Sequence, residues 1–168
     1  MAEHDNDTII GNTEGGVRTV TFNRPGKKNA LTQDMYARLV EEMMAVAEDP
    51  KVRVLVFTGA GDTYTSGNDV ADFLRVQEIK GELPAFGFIE ALPRFPKPLL
   101  AAVNGLAVGV GTTMLLHCDR VFASPDARFS VPFARLGLCP EAGSSALLPR
   151  LAGMQRASEL LMLGEPFD

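Results

Sequence analysis

Residues 98–119, Pro-Leu-Leu-Ala-Ala-Val-Asn-Gly-Leu-Ala-Val-Gly-Val-Gly-Thr-Thr-Met-Leu-Leu-His-Cys-Asp, constrain the fold more than any other stretch. Leu99–Val103 is a short apolar run of the kind a strand buried on both faces shows. Asn104-Gly105 breaks it. Gly109 and Gly111 then flank Val110, and residues 112–118 can begin a buried helix. Glycines just before a helix let the backbone approach a ligand closely. The N–H groups of a first helical turn lack internal partners and favour negative charge. The stretch therefore offers an anion-binding corner built from backbone in an apolar surround. A plain core strand and core helix joined by a tight turn is the competing reading. A membrane span is not expected, because Asn104, Gly105, Gly109, Gly111, Thr112, Thr113 and His117 interrupt the run.

The chain has 168 residues, which suits a single domain over 1–168 with a sizeable core. Its net charge of −5 argues against a nucleic-acid partner, which calls for a basic face. A local site on an acidic protein can still take an anionic small ligand. Cys118 and Cys139 form no CxxC pair, so neither a disulfide framework nor a metal site is expected. Residues 1–7 are acidic and polar, unlike a signal peptide, and the expected location is cytoplasmic.

Residues 8–10 and Val17–Phe22 read as strands around a Glu14-Gly15-Gly16 turn. Residues 23–29 form a locally basic loop. Thr32 can cap a helix in which Met35, Leu39, Met43 and Val46 recur at helical spacing, and Asp49-Pro50 ends it. Residues 52–57 read as a buried strand, 64–66 as a short extended piece, and 70–79 as a helix. Residues 81–98 hold four of the eleven prolines and suggest one short helix around Phe86, Phe88 and Ile89, with mobility near 80–84. Arg120–Ala123 and residues 128–131 read as strands. Residues 139–145 open a short helix, and Met154–Leu163 is a last helix stopped by Gly164. Parallel-type buried runs alternating with helices indicate an α/β domain.

Two backbone corners carry the chemistry, Thr65-Ser66-Gly67-Asn68 and Ala107-Val108-Gly109-Val110-Gly111. Facing each other, they can supply two N–H donors to one oxygen, each contributing about 2.7–4 kcal/mol in a transition state. Glu141 is the acid/base candidate. It follows Cys139-Pro140 and comes soon after Phe133, Leu136 and Leu138, an apolar surround that raises a carboxyl pKa. A solvated glutamate at a helix start is the alternative. Ser66, His117 and Asp119 invite a hydrolase triad. However, residues two apart on a helix do not face each other, and Ser66 lacks the G-x-S-x-G context. Asp69 and Asp72 read as helix-capping groups rather than metal ligands.

Together these residues resemble the crotonase family, the enoyl-CoA hydratase/isomerase superfamily. Asn23-Arg24-Pro25 with Asn29-Ala30-Leu31 resembles its first loop, and residues 61–69 its first oxyanion segment. Residues 96–105 and on to Cys118-Asp119 resemble the second. The resemblance spans residues 8–168. It implies an α/β, ClpP/crotonase-like spiral of ββα units that holds the thioester of an acyl-CoA between two backbone N–H groups, those of Ser66 and Val110. It implies Gly67, Asn68, Asp69 and Gly109 as further substrate-binding residues and Lys27 along the CoA entrance. Coenzyme A is part of the substrate, so no separate cofactor is implied. Relatives assemble as trimers or pairs of trimers, and their chains continue into C-terminal helices beyond the point where this sequence stops.

The departures direct the functional reading. Hydratases of this family hold water with two glutamates, and this chain has Thr113 and Phe133 at those positions. What remains is Glu141 in Leu138-Cys-Pro-Glu-Ala-Gly-Ser-Ser145, similar to the Δ3,Δ2-enoyl-CoA isomerase branch of fatty acid metabolism. The resemblance therefore implies an isomerase that shifts a 3-enoyl-CoA to a trans-2-enoyl-CoA with one glutamate. Another crotonase-fold enzyme (hydratase, hydrolase or dehalogenase) and a truncated, non-catalytic acyl-CoA-binding subunit are the alternatives.

Overall fold

The computed structural model describes residues 8–74 and 83–168. The last part of the helix expected over 70–79, and most of the segment expected to be mobile, lie outside the described residues.

Strand β1 (Ile9–Glu14) and β2 (Val17–Phe22) form an antiparallel hairpin around Gly15-Gly16. β1 runs four residues past the expected 8–10, because pairing of Glu14 with Val17 carries the polar residues 11–14 into the ladder. The exposure of residues 10–14 explains why no apolar pattern announced the extension. Helix α1 (Gln33–Glu48) starts as expected, with Thr32 Oγ1 accepting from the Met35 N–H at 3.3 Å. Its periodic residues Met35, Leu39, Met43 and Val46 are all buried.

Strand β3 (Val54–Gly59) begins two residues later than expected. Val52 belongs to the preceding turn, its N–H bonding Asp49 O at 3.1 Å, and Val54 is the first residue to pair with β2. From here the chain follows a repeating path. β3 lies in one sheet and β4 (Thr63–Thr65) in another. β5 (Leu99–Val103) returns to the first sheet and β6 (Leu106–Val108) to the second, and β7 (Arg120–Ala123) and β8 (Arg128–Ser130) do the same. The result is a five-stranded sheet ordered β1-β2-β3-β5-β7 and a three-stranded sheet ordered β4-β6-β8. All pairings between these strands after the hairpin are parallel, and an isolated antiparallel bridge joins Phe129 to Phe167. This is the expected spiral, in which each turn contributes one strand to each sheet.

Helix α2 (Val70–Leu74) follows β4, and α3 (Pro84–Ala91) is the expected short helix, with Phe88 buried. Helix α4 (Val110–Thr113) begins two residues before the expected start and tightens into a 3-10 turn, Met114–His117. Helices α5 (Ser144–Ala152) and α6 (Met154–Leu163) close the chain, with Gly164 left-handed at the end of α6.

The main core lies between the large sheet, α1 and α3. Phe22 stacks on Phe57 and meets Tyr64 edge-on, and Phe88 packs against Tyr36 and Phe57. Burying each such ring contributes about 1.5–3 kcal/mol. A second cluster, Val131, Phe133, Leu148, Ala157 and Leu160, sits under α5 and α6. Lys97 Nζ joins the end of α1 to the approach to β5 by donating to Val46 O, Asp49 O and Val52 O at 2.6, 2.7 and 2.8 Å. No helix among the described residues is long and apolar enough to cross a membrane.

Candidate active site

β4 and β6 are parallel neighbours, with Thr63 beside Leu106 and Thr65 beside Ala107. The chain turns sharply as it leaves each. After β6, Gly109 takes φ 56°, ψ −119°, a region open essentially to glycine alone, and its N–H is tied to Ser130 O at 2.9 Å. Val110 is then the first residue of α4, and its N–H has no acceptor among the described residues. After β4, Gly67 takes φ 87°, and a Cβ there would come within 2.7 Å of Val108 O. The two corners therefore touch through backbone.

The sequence expectation for the first donor needs correcting. The Ser66 N–H is committed to Lys28 O at 2.9 Å, so it is not free to meet a ligand. The Gly67 N–H bonds Thr65 Oγ1 at 3.1 Å, and the Asp69 N–H bonds Leu31 O at 2.8 Å. Asn68 pairs with Leu31 in an isolated parallel bridge through its neighbours: Leu31 N–H to Gly67 O, and Asp69 N–H to Leu31 O. The Asn68 N–H consequently points the other way and has no acceptor among the described residues. Asn68 and Val110, rather than Ser66 and Val110, present the two free amides.

Both line a cavity of about 320 Å³ whose walls are Ser66, Gly67, Asn68, Val70, Val108, Gly109, Val110, Pro132, Phe133, Leu136 and Leu138. Apart from the two corners, the walls are apolar. A larger recess of about 610 Å³ lies elsewhere, against α1 and the hairpin, where the Arg18 guanidinium grips both oxygens of Glu42.

Glu141 is fixed from both directions. The Ser144 N–H and hydroxyl both donate to its carbonyl, at 3.0 and 2.7 Å. His117 Nε2 donates to Ala142 O at 2.8 Å, and Ala142 is held at φ 50°. At the carboxylate, the Thr113 hydroxyl donates to Oε1. Oε2 is buried and has no hydrogen-bond partner among the described residues. Burial pushes the Glu141 carboxyl above the usual carboxylate range, and the Thr113 hydrogen bond opposes that rise. Thr113 stands three residues after Val110, about 4.5 Å along the α4 axis. Through its hydroxyl the Glu141 carboxylate is tied to the helix that Val110 begins, though it is not itself among the groups lining the cavity. It also lies close enough to Tyr36 to add to the rise that burial imposes on the phenol. Tyr36 O–H in turn donates to Asn68 Oδ1. Carboxylate and amides thus share one neighbourhood. The alternative of a solvated Glu141 at a helix start does not hold.

Other expected residues fall outside the cavity. Asp69 begins α2, accepting from the Ala71 and Asp72 N–H groups at 3.0 and 3.2 Å, and pairs with Arg24 at 3.1 Å. The Asp72 N–H above all, opposed by burial and then aided by Arg24, lowers its carboxyl pKa. It shapes the corner and does not face a ligand. Lys27 is exposed and lines a separate recess of about 380 Å³ with Thr8, Asn23, Arg24, Pro25 and Gly26. Lys28 pairs with Asp62 at 3.3 Å. The triad reading fails: Asp119 Oδ2 accepts from the Leu99 N–H at 2.8 Å and His117 serves the Glu141 segment. The Cys118 thiol is pushed up to about 12, first by burial and then by Asp119, which makes it a poor nucleophile. The described residues hold no group of three or more His, Cys, Asp or Glu placed to bind a metal.

Thr113 and Tyr36 gain roles that sequence reading did not assign. Thr113 was visible as a departure from the hydratase pattern. Tyr36 was not singled out, and its reach to Asn68 had no local signal.

Two interleaved sheets, parallel after the first hairpin, with two free backbone amides just beyond the ends of neighbouring strands and a buried carboxylate held from the helix that follows, define a crotonase-like α/β protein. Residues 12–168 match the enoyl-CoA hydratase/isomerase family, and the chain belongs to it. It is 42% identical over 163 residues to enoyl-CoA delta isomerase 2 of Rattus norvegicus, covering 94% of this chain and 41% of the rat protein. It is 35% identical over 163 residues to 2,3-dehydroadipyl-CoA hydratase of Escherichia coli K12, covering 94% of this chain and 62% of the hydratase. Among solved structures, Pseudomonas aeruginosa OdaA superimposes with a TM-score of 0.92 at 48% identity, covering 97% of this chain and 66% of that one. The chain thus spans between two fifths and two thirds of the length of these relatives.

Proposed function

We propose that this chain isomerises a 3-enoyl-CoA to the trans-2-enoyl-CoA, with Glu141 as the single acid/base. The observation that carries the reading is the buried Oε2 of Glu141, unpartnered among the described residues, on a carboxylate held by Thr113 of the helix that Val110 begins. The family resemblance implies that Thr113 and Phe133 occupy the two positions where hydratases place glutamates. A threonine hydroxyl and a phenyl ring cannot activate water as two carboxylates do.

Glu141 takes a proton from C2 of the substrate. The C–H electron pair moves into a dienolate, placing negative charge on the thioester oxygen. The Asn68 and Val110 N–H groups receive that oxygen, each contributing about 2.7–4 kcal/mol as charge develops. Protonated Glu141 then returns the proton at C4, and the double bond settles between C2 and C3. Protons and electrons balance within the substrate and one carboxyl group. The apolar walls, Phe133, Leu136 and Leu138 among them, suit an acyl chain, and Lys27 suits the anionic CoA end. An acyl-CoA thioester as partner, a homotrimer or pair of trimers as assembly, and a cytoplasmic setting complete the proposal.

Hydration is the second reading, supported by the E. coli hydratase relative. A coupled assay with trans-3-hexenoyl-CoA, run beside crotonyl-CoA hydration, separates the two. Isomerisation without hydration is expected, and Glu141→Gln should lower it at least about 10³-fold while acyl-CoA binding survives. Turnover retained by that variant would sink the proposal. Binding without either reaction would select a non-catalytic subunit.

A further inference from the structure

The isomerase cycle leaves Thr113 without a part, although it makes the one hydrogen bond that the Glu141 carboxylate receives among the described residues. Thr113 is fully buried on α4, in the same helical turn as Val110. Its single hydroxyl proton is committed to Oε1, while Oε2 stays buried and unpartnered. The terminal torsion of a glutamate is broad and two-fold, so an unrestrained carboxylate can present either oxygen at a range of tilts. We propose that Thr113 is a positioning residue that fixes the plane of the Glu141 carboxylate and reserves Oε2 as the one oxygen that carries the proton from C2 to C4.

The inference rests on the isomerase reading and gives it a requirement of its own. A proton taken from C2 and delivered to C4 of the same face must leave from the oxygen that received it, or wait for the carboxyl group to turn over. Anchoring Oε1 removes that wait. The bond has a second effect, since a donor to Oε1 favours the ionised form and so keeps the base available against the cost of burial. The titratable groups that face this segment are Tyr36 of α1 and His117 of the 3-10 turn after α4. Neither bonds the carboxylate among the described residues. Thr113 is therefore the contact that holds it, and the branched side chain resists rotation in a way serine does not.

The test compares wild type, Thr113→Val and Thr113→Ser. The Glu141 carboxyl is titrated without substrate by difference infrared spectroscopy, with Glu141→Gln assigning the band, and kcat, KM and the pH profile are measured with trans-3-hexenoyl-CoA. In Thr113→Val the carboxyl should protonate at higher pH, and the acid limb of the profile should move the same way. Its kcat should fall roughly tenfold with KM held within about twofold, and Thr113→Ser should recover most of the loss. Superimposable titrations and rates in wild type and Thr113→Val would overturn the proposal. So would equal losses in both variants, which would mean packing alone. If the valine variant melts below the assay temperature, Thr113→Ala replaces it. A wild-type chain that binds acyl-CoA yet isomerises nothing overturns the isomerase reading separately, and the titration still decides whether Thr113 holds the carboxylate.

Discussion

At Glu141, the proposed catalytic role and stability pull in opposite directions. Its carboxyl is raised by burial, so the folded protein holds that proton more tightly than the unfolded chain does. The sign follows: its contribution to stability is present below the unfolded value and is lost as pH rises through the folded one. A base needs the ionised form, so turnover falls as pH drops through the same range. Glu141→Gln cannot ionise there. The melting temperature of the variant relative to wild type should therefore climb as pH rises through that window, as read by calorimetry across a pH series. A constant gap would mean that the carboxyl titrates as it does in the unfolded chain. At this scale residue type and apolar neighbours offered Glu141 as a candidate beside a solvated alternative, and the family resemblance singled it out. The sequence did not disclose which amide of Ser66-Gly67-Asn68 is free. That depends on the bridge from Leu31, a contact 37 positions away for Asn68, and nothing local records it.

Among the elements, the corner after β4 depends on a residue outside it. Asn29 is fully buried at φ 53°, a conformation asparagine tolerates better than most residues. Its side chain accepts from the Arg24 N–H at 2.8 Å and donates to Ala60 O and Thr63 O at 2.9 and 2.6 Å. Its carbonyl accepts from Thr65 Oγ1 at 2.7 Å. Asn29→Ala should lose about 2–4 kcal/mol of stability, because buried backbone groups are left without partners. Chemical denaturation checks this, and kcat should fall with it as the Asn68 corner loosens. A change below about 0.5 kcal/mol would mean that the loop holds itself. Element types were legible from periodicity, α1 most fully. Strand limits were not. β3 slid by two residues because its start is set by pairing with Val17, and the extension of β1 over residues 11–14 was hidden by its polar composition.

Over the whole molecule, the alternation of strands between two sheets came from resemblance and not from pattern. Short buried runs say parallel sheet but do not say which sheet. One long-range fastening can be tested directly. Lys97 draws together three carbonyls at the end of α1 and the turn into β3. Lys97→Met keeps the apolar stem and removes the donors, and it should cost about 2–3 kcal/mol, since hydrogen bonds to charged groups are the stronger ones. For a chain of this size that is a drop of roughly 4–12 °C in melting temperature. An unchanged melt would show those carbonyls satisfied by water.

The pairing of β4 with β6 has a consequence for how such a protein can change. The amides of Asn68 and Val110 follow the ends of adjacent strands, whose separation of about 4.8 Å is a property of the backbone ladder, and the Leu31 bridge and the Asn29 side chain fix the corner that carries the first of them. The two amides stand as the jaws of a caliper mounted on the sheet. Residues 113, 133 and 141 stand around the jaws without forming them. In the proposed reaction, substitution there would change what happens to a thioester more than how the two amides hold it.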